Sequence, residues 1–501
     1  MSRALFLVLI SAITALKVYF AATTSLFPDE SFYWQCSQRP AVHYVDLPYL
    51  TAALVGAGTA IAGREPIGVR LVFLVLGTAF PFLMIRAARP IVGSGGAWLA
   101  GLAALALPEI ALLGAVAVPD VPLMFFTLLA FHGIESATRT DSLRGWLLAS
   151  ASLALGLHTH QRFILVPAAI VLYGLLTPLG RARLNPTRRP RVLWLAAGIG
   201  VGCIPFTLHS FRSGLEPIAY YLLGRHGTGF DTSGFLRHAA GQALVVGPFL
   251  YVALLAVLAV LIRRARGGDD RAALGASFAL LPIALYLSMA PFHDVVMSTL
   301  HWPLPGYVPL LVFLPDELSR WLSPLSQLTR RTIQWLVFAV GPLASGMLLV
   351  LAALGAAMAD PVAYEFRGWP ELADAVRREI RALDQTGMKP PIVVADNYKV
   401  GASLEFELDG VAEVFVLAHP GNLKSGRGFA HEGWGRGESF LRTLGGRRAV
   451  VVVQWDESPI RERRTWVTRV QSFFSSLEPR AEVRAGQGRR KAFFVYRGVV
   501  K

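Results

Sequence analysis

Residues 4–24 read ALFLVLISAITALKVYFAATT, and residues 25–34 continue SLFPDESFYW. The first run is apolar and long enough to cross about 30 Å of hydrocarbon as a helix. The second places Asp29 and Glu30 side by side directly beyond it. Two adjacent carboxylates there cost free energy unless water, a partner or a substrate uses them. Ala21 and Ala22 give the first run the look of a signal peptide. The many apolar spans that follow argue instead for an uncleaved first helix.

Working outward, the chain has 501 residues, 54% hydrophobic and only 16% charged, with a mean hydropathy of +0.49. A soluble chain carries about 25% charged residues, so this composition indicates a polytopic membrane protein. The net charge of +15 is a poor argument for nucleic acid, because the arginines cluster in short segments between apolar spans. Arg86 and Arg89, Arg139 and Arg144, Arg181 to Arg191, Arg263 to Arg271 and Arg320 to Arg331 make alternate loops basic, the positive-inside pattern. Cys36 and Cys203 lie far apart, so no disulfide or metal spacing is indicated.

Eleven spans are expected near 4–24, 66–85, 91–113, 119–135, 144–159, 163–179, 192–210, 241–262, 273–290, 303–315 and 333–357. With the N-terminus inside, the arginine-rich loops fall in the cytoplasm. Residues 25–65, 114–120, the turn near 160, 209–240, 291–302 and the C-terminal region then fall outside. The tenth span is short and calls for extra residues upstream or beyond Pro315. Leu47 to Ala62 is apolar but short, and reads as an interfacial or re-entrant helix.

Beyond residue 360 the pattern changes. Trp369 to Leu383 has apolar positions at helical spacing. Pro391 to Ala395, Val414 to Leu417, Ala449 to Val453 and Ala492 to Tyr496 read as strands, with a helical stretch near Phe440 to Leu444. A membrane module over 1–359 and an extramembrane α/β domain over 360–501 follow. No phosphate-cradling glycine loop and no internal repeat is evident.

The expected external side gathers the unusual polar residues: Asp29, Glu30, His43, Tyr44 and Asp46; Asp120 between Pro119 and Pro122; His158, His160, Gln161 and Arg162; Arg225, His226 and Gln242; His293, Asp294, His301 and Trp302. Carboxylates supply a general base and arginines a clamp for a phosphate leaving group. Each residue also has a structural reading. Asp29, Glu30 and Asp120 suit helix starts, and the histidines suit solvated turns. Arg162 suits a snorkelling role, His301-Trp302 an interfacial anchor, and His43, Tyr44 and Asp46 ordinary loop packing.

The runs Asp29-Glu30-Ser31-Phe32-Tyr33-Trp34 and Tyr44-Val45-Asp46-Leu47-Pro48 resemble the first-loop signature of bacterial GT-C integral-membrane glycosyltransferases, relatives of protein O-mannosyltransferases and of the lipid A aminoarabinose transferase. Gly68-Val69-Arg70-Leu71, Pro119-Asp120-Val121-Pro122-Leu123, His301-Trp302-Pro303-Leu304-Pro305-Gly306-Tyr307 and Ala395-Asp396-Asn397-Tyr398 fit the same pattern. Leu47 and Tyr49 depart from it, where relatives commonly have His and a second Pro.

The resemblance implies an inverting transfer of a sugar from a polyprenyl phosphate to a lipid or protein on the periplasmic face of a Gram-negative inner membrane. It makes Asp29 the general base with Glu30 beside it, and Asp120 a group that places acceptor or donor sugar. Arg162, Arg225 and His226 neutralise the departing phosphate, and Tyr44, Asp46 and His301 contact substrate. A divalent cation bridging carboxylate and phosphate is neither required nor excluded. The competing readings are a flippase for a lipid-linked sugar, which calls for paired halves and broken helices, and an envelope assembly protein acting through residues 360–501.

Overall fold

A computed structural model describes residues 3–44, 46–212, 229–292, 300–354, 364–384, 388–457, 461–485 and 491–501. Among the described residues, seven helices are long and apolar enough to cross a membrane: Arg3–Thr23 (α1), Pro66–Leu105, Asp120–Thr140, Pro190–Arg212, Pro248–Arg266, Asp270–Phe292 and Gln327–Ala353. The chain is a polytopic helical membrane protein.

Several expected boundaries move, each for a local reason. The second and third expected spans are two helices within Pro66–Leu105, divided by a kink where Gly93 adopts φ 71, a conformation that costs glycine little. The chain folds back there, so a Cβ at Gly101 would meet Ile85 at 2.5 Å. The eighth does not start at 241. Helix Ser233–Val246 ends at Gly247 (φ 91), and Pro248 opens the next helix. The fifth and sixth shrink to the shorter apolar helices Leu143–Leu157 and Leu165–Leu176. The tenth runs from Leu304 to Leu322, past Pro315. Small residues set the closest helix contacts. Gly133 lies against the backbone of Ala149, and Gly145 against that of Ala137, so an added Cβ would meet backbone nitrogen 2.7 Å away at either site.

The arginines of the expected cytoplasmic loops are also structural. Glu135 accepts from Arg139 (3.1 Å) and Arg271 (3.0 Å). Asp270 accepts from Tyr173 (2.7 Å) and pairs with Arg183 (3.0 Å). Glu135 lies fifteen residues along its helix from Asp120, about 22 Å at the rise of an α-helix, so these pairs sit at the other end of the bundle from the acidic loops.

Two shorter helices complete the first loop: Pro28–Gln38 (α2) and Leu50–Ala62 (α3). The C-terminal region holds a five-stranded sheet of order β2-β1-β3-β5-β4. Its strands are Ile392–Ala395 (β1), Val414–Val416 (β2), Arg448–Gln454 (β3), Phe474–Ala485 (β4) and Lys491–Val500 (β5). The β1 strand runs parallel to β2 and β3, and β5 antiparallel to β3 and β4. The sequence reading omits β4, an edge strand that is charged and interrupted by Pro479. Edge strands tolerate both features.

Alternate strand residues point to opposite faces. Ile392, Val394, Val451 and Val453 pack on Trp466 and Val470. Val393, Ala395, Val450 and Val452 join a cluster that runs through Trp369 and Leu404 to Leu26, Phe32, Tyr33, Leu47 and Val121. One apolar core therefore joins the sheet to the first loop, and it fixes the site described next.

Candidate active site

Pro28 opens α2, and Asp29 and Glu30 occupy its first turn. Successive helical residues point about 100° apart, and the two acids meet different surroundings. Glu30 is fully buried. Its carboxylate accepts from the backbone N–H of Phe27 (2.9 Å) and Ala117 (2.7 Å), and from Arg70 Nε (2.8 Å) and Nη2 (2.6 Å). Arg70 also donates to the carbonyls of Ala21 (3.1 Å), Thr24 (2.8 Å) and Ser25 (2.8 Å). All five guanidinium N–H groups are used. Glu30, expected beside the base, has every lobe of its carboxylate taken up in closing the turn.

Asp29 is half-buried, with a side chain 25% exposed. It pairs with Arg427 Nη1 and accepts from the Tyr398 hydroxyl at 3.2 Å. Burial alone pushes its carboxyl up, but Arg427, Lys399 and Tyr398 outweigh it and hold the group below the usual carboxylate range. Arg427 opens the helix Arg427–Gly433. Its Nε also reaches Asp46 at 3.2 Å. Its guanidinium lies over the rings of Phe32 (4.8 Å) and Tyr398 (4.6 Å), a cation–π setting. Burial raises the Asp46 carboxyl, Arg427 offsets part of that, and the charge of Asp29 adds to the rise. Tyr44, expected to contact substrate, has its hydroxyl on backbone carbonyls. Its buried hydroxyl donates to the Cys36 carbonyl at 2.7 Å, with the Arg39 carbonyl at 3.2 Å.

A second cluster adjoins the first. Asp120 begins its helix just after Pro119 and accepts from Arg162 Nη2 at 2.6 Å, with His301 Nε2 at 3.8 Å. Arg162 is held by a 3-10 turn, Gln161–Ile164, where its N–H donates to His160 Nδ1 at 3.0 Å. Its guanidinium stands 5.7 Å from the Trp302 ring. Arg162 Nη1 is buried and has no hydrogen-bond partner among the described residues. Gln161 bridges the clusters by donating to the Asp46 carbonyl at 3.2 Å. Tyr33 lies between them. Burial, opposed by Arg427 and reinforced by Asp29, Asp46 and Asp120, raises its phenol well above the ordinary value.

The structure thus brings together Asp29, Asp46, Asp120, Arg162 and His301. Arg225, His226, His293 and Asp294 lie outside the described residues. His158 bonds the Val201 carbonyl (3.3 Å) and Tyr49 (3.3 Å). The Asp396-Asn397 pair is also structural. Asp396 Oδ2 accepts from the Gln454 N–H at 3.2 Å, and Asn397 caps the helix Tyr398–Leu408. Among the described residues, no three His, Cys, Asp or Glu side chains converge to hold a metal. Arg427 escapes the sequence reading. Its one signal is the density of glycine around it, six in residues 421–437.

Residues 46–208, which carry Asp46, Asp120 and Arg162, match the family model described as dolichyl-phosphate-mannose-protein mannosyltransferase. The lipid A galacturonosyltransferase RgtD of Rhizobium johnstonii is 24% identical over 409 residues, covering 79% of this chain and 81% of the relative. ArnT from Cupriavidus metallidurans in its apo state superposes with a TM-score of 0.65 at 18% identity, covering 99% of this chain and 98% of ArnT. The chain is thus similar in sequence to these glycosyltransferases and shares the fold of ArnT. The ArnT structure bound to undecaprenyl phosphate gives the same TM-score at 16% identity and the same coverage. The shared fold spans the helices and the C-terminal sheet together.

Proposed function

We propose that this protein is a GT-C glycosyltransferase that moves a sugar from a polyprenyl phosphate to lipid A, with inversion, at the periplasmic face of a bacterial inner membrane. The observation that carries the reading is Arg162, which spends Nη2 on Asp120 and keeps a buried Nη1 without a hydrogen-bond partner among the described residues. A guanidinium N–H shielded from water is a strong donor to an anionic oxygen. The named ligand of the ArnT structure and the named activity of RgtD supply the donor and acceptor classes. Galacturonic acid is the first sugar to try. In this reading residues 360–501 lie in the periplasm, and Arg225 and His226 remain proposed partners of the phosphate.

In the transfer step, an acceptor hydroxyl oxygen attacks the anomeric carbon as its bond to the phosphate oxygen breaks. The bonding pair leaves with the polyprenyl phosphate, whose developing charge Arg162 stabilises. The acceptor proton goes to Asp29. Asp29 is ionised by its cationic neighbours, and a phosphate leaving group needs only late proton removal. Asp120 fixes the Arg162 fork, His301 stands at its rim, and Glu30 with Arg70 sets the turn that presents Asp29.

The test is expression of wild type and Asp29→Asn in a Gram-negative host whose lipid A lacks added sugars, read by mass spectrometry. Wild type adds a hexuronic acid increment. Asp29→Asn, at equal abundance, loses about 10²- to 10⁴-fold of it, the usual worth of a positioned base. Full modification by Asp29→Asn overturns the base assignment. Unchanged lipid A with wild type overturns the acceptor.

A further inference from the structure

Within the proposed transferase, one group in contact with Asp29 comes from far along the chain. Arg427 lies 398 residues from it, on a short helix beside the C-terminal sheet. Its Nη1 meets Asp29 and its Nε meets Asp46. Its Nη2 lies 3.4 Å from the Tyr33 hydroxyl, and its own side chain is 8% exposed. Two carboxylates in one poorly solvated pocket cannot both stay ionised without a cation, because burial and mutual repulsion each favour a proton on one of them. A bridging guanidinium removes that conflict, and its planar spread of donors suits two acceptors where a single ammonium does not.

We propose that Arg427 is a positioning residue of the transfer site, keeping Asp29 and Asp46 ionised together and making the C-terminal region part of the active site. The inference rests on the reading of Asp29 as the base. The other ionisable groups around the pair are already engaged. Lys399 pairs with Glu365 (2.9 Å) and Glu457 (3.2 Å), and Tyr398 bonds Asp29 itself. Glu30 is held by Arg70. His431 Nδ1 bonds the Arg427 carbonyl at 3.0 Å, and burial pushes that imidazole down to about 4, so it stays neutral over the range that matters. Among the described residues, Arg427 is the cation that hydrogen-bonds both acids.

The test follows thermal unfolding of the purified full-length protein in detergent between pH 5 and pH 7.5, which needs no substrate. In wild type the lowered Asp29 value gives stability that is present at neutral pH and is lost on acidification. In Arg427→Met the acids instead hold a raised value, so their contribution is lost as pH rises. The Tm deficit of Arg427→Met therefore grows by at least about 3 °C from pH 5 to pH 7.5. Arg427→Met/Asp46→Asn, with one acid and its repulsion removed, shows a deficit that grows less with pH than that of the single variant. Should Arg427→Met fail to fold, the double variant recovers folded protein. A deficit equal at both pH values, or a double variant no better than the single one, overturns the proposal.

Lipid A modification by the same variants separates this inference from its premise. An inactive Asp29→Asn with a pH-independent Arg427→Met deficit sinks the bridging role alone. An active Asp29→Asn sinks the base reading whatever Arg427 does.

Discussion

Two arginine–carboxylate pairs stand at the same end of the helix bundle, and their donors are spent differently. Arg70 places all five N–H groups on Glu30 and on three carbonyls that end the first membrane helix. Arg162 secures Asp120 with Nη2 and keeps Nη1 buried without a partner among the described residues. Both pairs look alike in sequence and in charge. A guanidinium with nothing left to donate holds the fold, whereas one with a donor in reserve can hold a ligand. Burial alone does not separate them, because both carboxylates are buried.

The contrast can be broken most forcefully at Arg70. Arg70→Met leaves Glu30 charged and enclosed, and removing one partner of a buried pair costs about 3–5 kcal/mol. The expected outcome is loss of folded protein from the membrane fraction, measured by fluorescence-detected size exclusion. Normal yield with reduced transfer would instead make Arg70 a functional group.

Arg162→Met reverses the pattern. Asp120 keeps His301 at 3.8 Å, so folding yield stays near wild type while lipid A modification falls about 10²- to 10³-fold, the cost of one anion-stabilising donor. Arg162→Lys retains charge without the fork and recovers part of that loss. Equal loss of yield in both variants would place Arg162 with Arg70. The smallest effect belongs to Tyr44→Phe, which removes one hydroxyl from the Cys36 carbonyl. It lowers stability by about 1 kcal/mol and leaves transfer per folded molecule unchanged. A selective fall in activity would return Tyr44 to the substrate.

Much of the fold is legible in the chain because hydrocarbon and buried sheet impose simple patterns. The spans beginning at 4, 66, 119 and 192 are found within a few residues of their expected starts. The Trp369–Leu383 helix is found where its apolar spacing puts it, and four apolar runs are strands. The misses have physical causes. Gly93 and Gly247 change helix boundaries through backbone conformations that hydropathy does not register. The β4 strand carries its charges on an open edge, so it lacks the apolar signature of the others. In the site, the sequence reading collects Asp29, Asp120, Arg162 and His301 on one side but cannot separate Asp29 from Glu30, since neighbours in a chain share every local cue.

The sequence by itself determines that this is a multi-span membrane protein whose arginine clusters alternate with loops carrying Asp29, Glu30 and Asp120, because membrane insertion and charge placement are read out locally along the chain. Only the tertiary structure decides which acid is open and which is sealed, and which arginine keeps a donor in reserve. It also decides that Arg427 comes back across most of the chain to bridge Asp29 and Asp46. Those outcomes depend on where each carboxylate's partners end up in space, and hydrogen-bond accounting of that kind exists only once the helices and the sheet have packed.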